Sequence, residues 1–210
     1  KNFKFTTINT EEGIIYNAIV ASSYYYYGMI EYYGIISKKP DLALGLSHFI
    51  IAAYYGNPKA MHKLAIMIDT NIIQFIIDSK EFNYFKENNQ YMKHITNTDF
   101  YKNFEFTDDY ERTSIVSQFL YSASLSKDTT SMNTLAYRIH KGYGYSQSCD
   151  TALKYYKQSS TETIKLITDR KRPNYYEKTN LAMFEYVGFK FSQNNDLTDI
   201  DHVVDYLKVE

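Results

Sequence analysis

The chain has 210 residues, 44% hydrophobic and 22% charged, a balance that fits a folded domain and excludes a disordered tail. Its formal charge of −1 excludes a global electrostatic pull toward nucleic acid or an anionic membrane, so either partner would need a local basic patch. A single cysteine, Cys149, excludes a disulfide within the chain.

The opening "KNFKFTT" has neither an initiator Met nor a charged-then-apolar signal region, and reads as the edge of a longer protein. The run "YYYYGMIEYY", Tyr24–Tyr33, sets tyrosines at helical spacing. With 23 Tyr in a chain also rich in Ile, Asn and Lys, codon bias explains part of the excess. Either the run forms a peptide-binding aromatic surface or it packs between helices, and packing is favoured because several Tyr must face inward on any helix.

From Asp41 onward, Leu42, Leu46, Phe49, Ile50 and Ala53 recur at three- and four-residue steps, which predicts a helix. Gly56-Asn57-Pro58 ends it, and Ala60, Leu64, Ala65 and Ile68 predict a second helix, closing an αα-hairpin. The longest apolar stretch, "LALGLSHFIIAAYYG", is interrupted by Ser47 and His48 and falls short of the ~20 residues of a membrane span. Residues 79–112 are polar and Asn/Lys-rich without a sustained apolar face, and predict an irregular excursion with a short helix or strand within it. Asp108 and Asp109 lie there side by side, which reads as a solvated loop rather than an opposed catalytic pair.

The hairpin pattern returns beyond the excursion. Residues 46–65 lie without gaps over residues 117–136, pairing Ala52 with Ala123, Met61 with Met132, Leu64 with Leu135 and Ala65 with Ala136. The shift of 71 residues is about twice the ~34–40 residue period of helical-hairpin repeats, so a degenerate repeat or an insertion lies between. The composition of 79–112 favours an insertion.

Next comes "GYGYSQSCDTALKYY", residues 142–156. A dinucleotide fingerprint needs a third glycine, where Gln147 stands, and a preceding strand, where the pattern is helical. A P-loop needs Gly-Lys-Ser/Thr, which is missing. The expectation is therefore that Gly142 ends a helix in a left-handed cap and Gly144 allows the chain to reverse. Ser146 or Ser148 then caps the following helix, with Asp150 complementing its dipole. Cys149 at that helix start, with His140 as base, is the one nucleophile candidate, against a plain packing role. His48, His62, His94 and His202 show no metal-ligand spacing, so no zinc site is predicted. Residues 168–180 read as a charged linker, with Arg170-Lys171-Arg172 the only basic cluster. Phe184 to Phe191 is ambiguous between strand and loop, and residues 199–210 read as a new helix capped by Asp199 or Asp201.

The unit "LAYRIHKGYGYSQSCDTALKYYKQSS" resembles the Sel-1-like repeat, a tetratricopeptide relative. Leu135, Tyr137, Gly142, Gly144, Ala152, Leu153, Tyr155, Tyr156, Ser159 and Ser160 occupy its motif positions. Ala136 replaces the usual Gly, Tyr145 the usual Val, and the serine pair the usual alanines. Arg138, Gln147, Ser148 and Cys149, with Asp150 in place of Glu, are similar to the narrower family of Sel-1/HRD adaptors. The resemblance covers residues 13–65 and 113–167 and leaves 79–112 uncovered.

It implies an all-α, right-handed α-α superhelix over residues 1–210, with about three helical hairpins, an insertion near 79–112, a linker near 168–180 and a further repeat starting near 199–210. The small pair at 159–160 would allow close helix approach, and Tyr155 and Tyr156 would fill the groove between hairpins. The function implied is a non-catalytic scaffold without cofactor or metal: the lumenal, substrate-recruiting adaptor of an HRD-type membrane ubiquitin ligase in endoplasmic-reticulum-associated degradation. Implied partners are that ligase, misfolded clients and a lectin or chaperone, with no nucleic acid. The location implied is the endoplasmic reticulum lumen or its membrane surface. A cytoplasmic Sel-1-like regulator of another complex and a Cys149-dependent enzyme are the alternatives.

Overall fold

A computed structural model describes residues 11–169 of the protein, with side chains from 16 to 168. The linker near 168–180 falls outside them but for its first residues, and so do the basic cluster, residues 184–191, His202 and the helix start near 199. Two compact units divide the chain, Lys1–Lys165 and Leu166–Glu210, and the architecture below is that of the first. The described residues are mostly helical and contain no strand, as an all-α fold requires.

The first helix, α1 (Glu11–Tyr33), packs along α2 (Leu42–Tyr54). Their backbones approach closely at two glycines. A Cβ on Gly28 would stand 2.7 Å from the Phe49 ring, and one on Gly45 would stand 2.7 Å from Tyr32 Cβ. This crossing divides the tyrosine run. Tyr25 and Tyr32 pack against Phe49, with ring centroids 6.1 and 5.7 Å away, and Tyr24 packs against His48 at 5.4 Å. Tyr26, Tyr27 and Tyr33 stay exposed. The packing expectation therefore holds for three of these rings.

Asp41 caps α2 by accepting the Leu44 N–H at 2.9 Å. Asn57 caps α3 (Pro58–Asp69) by accepting the Ala60 N–H at 3.0 Å, and Pro58 opens that helix where no N–H is needed. Leu46, Phe49, Ile50, Leu64 and Ile68 are fully buried between the two. Past the excursion, α3 packs on α7 (Asp109–Leu125), and α7 on α8 (Thr129–Lys141). The last described helix, α9 (Cys149–Asp169), follows the α8 turn.

The α2–α3 and α7–α8 turns make the same bonds 71 residues apart. Asn57 and Asp128 both accept the N–H three residues on and donate their own to Ala52 and Ala123. Gly56 and Lys127, just before them, are both left-handed, at φ of 92° and 61°. The second helix of each pair is followed by a left-handed residue, Asn71 at 59° and Gly142 at 78°. Leu64 and Leu135, Ala65 and Ala136, and Met61 and Met132 are all buried.

Residues 79–112 are more regular than the expected excursion with one short helix or strand. After the one-turn helix α4 (Ile72–Ile77), they fold into α5 (Lys80–Asn88), α6 (Gln90–Ile95), a 3₁₀ turn (Tyr101–Phe104) and the start of α7. Their polar residues cap these short helices. Ser79 accepts from Phe82 N–H at 3.2 Å, and Asn89 from Tyr91 and Met92 N–H at 2.9 and 3.1 Å. Phe82, Met92, Ile95, Phe100, Tyr101 and Phe104 are buried in the main core. Phe104 packs on Phe119 of α7 with centroids 5.9 Å apart, and Gln74 Nε2 donates to Phe104 O at 2.9 Å. Asp108 and Asp109 begin α7 rather than sitting in a loop. Asp108 accepts the Glu111 N–H at 2.7 Å, and Asp109 pairs with Arg112 at 3.0 Å.

Candidate functional site

The α8–α9 corner carries the glycine pair, and its geometry answers the phosphate question. The last carbonyls of α8 need partners, and the loop supplies them. Tyr143 N–H donates to Arg138 O at 2.8 Å, Gly142 N–H and Ser148 N–H both donate to Ile139 O at 3.3 Å, and Gln147 Nε2 donates to His140 O at 3.0 Å. The loop's donors thus face a helix C-terminus, the end whose partial charge repels an anion. The first side-chain acceptor on α9 belongs to Ser148, which takes the Thr151 N–H at 3.2 Å. Gly142 and Gly144 turn a corner, and Gln147 and Ser148 complete it.

Gly144 has a second role. It sits at φ 74° against α7, where a Cβ would overlap Thr113 Cγ2 and stand 3.0 Å from Ser117 Oγ. Tyr145 next to it donates its hydroxyl to Ser117 O at 2.9 Å. Burial pushes the Tyr145 phenol above its ordinary value, while the Ser117 bond and the Arg138 charge work the other way. A shallow groove of about 590 Å³ runs beside this contact, lined by Tyr110, Thr113, Gln118, Tyr121 and the loop. Its walls carry hydroxyls, one carboxamide and aromatic rings but no charge.

The motif residues separate into two groups. Leu135 and Ala152 are buried, Tyr155 packs partly on the core, and Ser159 is buried with its hydroxyl on Thr129 O at 3.1 Å. Tyr137, Leu153 and Tyr156 are exposed, so only the first of the two adjacent tyrosines reaches the packed interior. Arg138 is 7% exposed and pairs with Asp69 of α3 at 2.8 Å, tying the two hairpins together. That partner lies 69 residues away and left no trace in local sequence.

Cys149 is the first residue of α9 and is exposed, with Sγ 3.8 Å from His140 Nδ1. This is within reach of a weak sulfur hydrogen bond, and His140 is itself exposed. The other histidines scatter. His48 sits among Tyr24 and Tyr27, His62 meets Thr134 Oγ1 at 3.1 Å, and His94 meets Tyr54 at 3.3 Å. Burial lowers the His48 and His62 pKa values, with Asp41 and Asp128 respectively opposing it. Among the described residues no group of three His, Cys, Asp or Glu side chains could hold a metal ion. No described helix is long and apolar enough to cross a membrane.

A second groove, of about 540 Å³, escaped the sequence reading. It lies between the α1–α2 loop, the start of α2 and the α4–α5 corner. Its one visible signal is "IIQFII", an apolar run too long for a helix this short to bury, which leaves Phe75 79% exposed. Comparison with protein-family models, curated proteins and solved structures finds no match for the chain.

Proposed function

We propose that the protein is a non-catalytic interaction scaffold built from Sel-1-like helical hairpins in a right-handed α-α superhelix. The observation that carries this reading is the pair of turns 71 residues apart with a left-handed residue at the same place, an Asx cap after it and the same backbone bonds. Hairpins that repeat in this way contact their neighbours and present extended surface to protein partners. The α4–α6 segment is then an insertion between the α2–α3 and α7–α8 hairpins, folded onto α2.

The finer identity rests on the Arg138 and Gln147–Cys149 resemblance alone. On that reading the chain is the lumenal adaptor of an HRD-type ubiquitin ligase, recruiting misfolded clients together with a lectin or chaperone. The test is a pull-down of the tagged full-length protein from detergent-solubilised native membranes, read by mass spectrometry. Recovery of a multi-spanning RING-type ligase with lumenal chaperones supports the adaptor. Recovery of a cytosolic complex alone overturns the compartment and leaves a cytoplasmic scaffold.

One observation favours chemistry instead, the 3.8 Å approach of Cys149 Sγ to His140 Nδ1. A thiol nucleophile needs its base oriented by a third group, and His140 Nε2 has no protein partner among the described residues. Labelling with a mild alkylator decides the matter. A Cys149 that reacts at the rate of a free thiol fits the scaffold, and a hyper-reactive one whose rate drops in His140→Ala points to an enzyme.

A further inference from the structure

We propose that the groove between the α1–α2 loop and the α4–α5 corner binds a linear peptide segment, with a bulky apolar anchor flanked by lysine or arginine. The inference rests on the scaffold reading and names the chemistry of one partner. Its floor is made by Ala43 and Ile76, both buried, and its walls by Pro40, Leu42 and Phe75. Phe75 is 79% exposed and Leu42 37%, so among the described residues this apolar surface is left uncovered. Ile35 and Ile36, in the loop that also carries Pro40, are exposed at 63% and 76%.

The rim selects the sign of the partner. Glu31, Asp41 and Glu81 line the groove, and Lys39 is the single cation among its lining residues. They come from three separate segments, α1, the α2 cap and the first turn of α5, so carboxylates outnumber cations among the lining residues. Asp41 is held at the start of α2, where it accepts the Leu44 N–H at 2.9 Å. A partner that inserted an apolar side chain with acidic neighbours would meet like charges, whereas lysine or arginine on both sides of the anchor would be drawn in. The open shape favours a short extended or helical segment over a small molecule, which would need enclosure on most sides.

The test pans random linear peptides displayed on phage against the whole protein, with the Phe75→Ser variant as counter-selection. Phe75 is exposed, so this variant should fold, which circular dichroism verifies. The expected enrichment is for one or two large apolar residues flanked by Lys or Arg. An enriched peptide, synthesised with a fluorescent label, should lose about tenfold or more in affinity on Phe75→Ser. It should lose about two- to fivefold on Glu31→Lys or Glu81→Lys separately, and weaken as salt rises. Tyr110→Ser, in the other groove, should leave binding unchanged. Enrichment of acidic or neutral sequences, enrichment that survives Phe75→Ser, or no enrichment at all would overturn the proposal. The pull-down can succeed while this panning fails, which would leave the scaffold standing and remove this groove from it.

Discussion

Replacing Gly142 and Gly144 separately with alanine tests the account of the α8–α9 corner. Both residues are left-handed, at φ 78° and 74°, where an L side chain costs about 1–2 kcal/mol. Their surroundings differ. A Cβ on Gly142 meets nothing nearer than Gln147 Cβ at 3.5 Å, an ordinary contact, so Gly142→Ala should cost only that backbone strain. A Cβ on Gly144 would overlap the Thr113 methyl and crowd Ser117 Oγ, and overpacking of this kind adds about 1–3 kcal/mol. Gly144→Ala should therefore cost about 2–5 kcal/mol. Thr113→Ser removes the offending methyl but keeps the hydroxyl that donates to Asp109 O at 2.7 Å. Alone it should cost about 1 kcal/mol or less, the value of one buried methyl. Combined with Gly144→Ala it should recover about 1–2 kcal/mol relative to the sum of the single changes. Urea denaturation followed by far-UV circular dichroism measures all four proteins. Equal losses for the two glycines, or strict additivity with Thr113→Ser, would mean that the loop does not seat on α7 through Gly144.

The Arg138–Asp69 pair should respond asymmetrically to its two deletions. Asp69→Ala leaves a buried guanidinium, whose Nε already lacks a partner among the described residues, and should cost about 2–3 kcal/mol, whereas Arg138→Met leaves a carboxylate with access to water and should cost about 1 kcal/mol or less. Urea midpoints compare the two. Tyr101→Phe should stabilise the protein by up to about 1 kcal/mol in the same assay, because its buried hydroxyl has no hydrogen-bond partner among the described residues. His48 and His62 are held neutral by burial, with pKa values below the ordinary 6.5. Stability should therefore be full above pH 6.5 and fall as pH drops through their lowered values, since the unfolded chain takes up the protons first. Thermal midpoints against pH check this, and His48→Met combined with His62→Gln should flatten the slope.

The hairpins were legible because their signals are local. Apolar spacing predicted α2 and α3, Gly56-Asn57-Pro58 predicted the break, and Gly142 predicted the left-handed end of α8. The segment 79–112 was not legible for an equally physical reason. Helices of six and nine residues show too few turns for a periodic face, so Phe82, Met92, Ile95 and Phe104 look scattered in sequence although they meet in one core. Its Asn and Ser residues, which lowered the apparent helicity, are the caps that let such short helices form. The Asp69–Arg138 pair and the groove around Phe75 depend on residues brought together from distant segments, and no local pattern announces either one.

The turns also explain why a hairpin pattern can persist while its residues change. At the α2–α3 turn, a Cβ on Gly56 would meet nothing within 4 Å, so the position demands a left-handed backbone but imposes no limit on size. Lys127 occupies the matching place in the α7–α8 turn at φ 61°, with its side chain exposed. Asn71 and Gly142 form a similar pair after the second helices, both residue types that tolerate φ above zero. Inside the packing face the freedom is narrower. Ala52 and Ala123, or Ala65 and Ala136, sit at zero exposure, where a larger side chain would force the helices apart. Geometry is therefore kept by backbone conformation at the turns and by small side chains between helices. The Phe75 groove obeys neither constraint, because it forms where the α4–α5 corner meets the start of α2, and so it has no counterpart in the hairpin pattern itself.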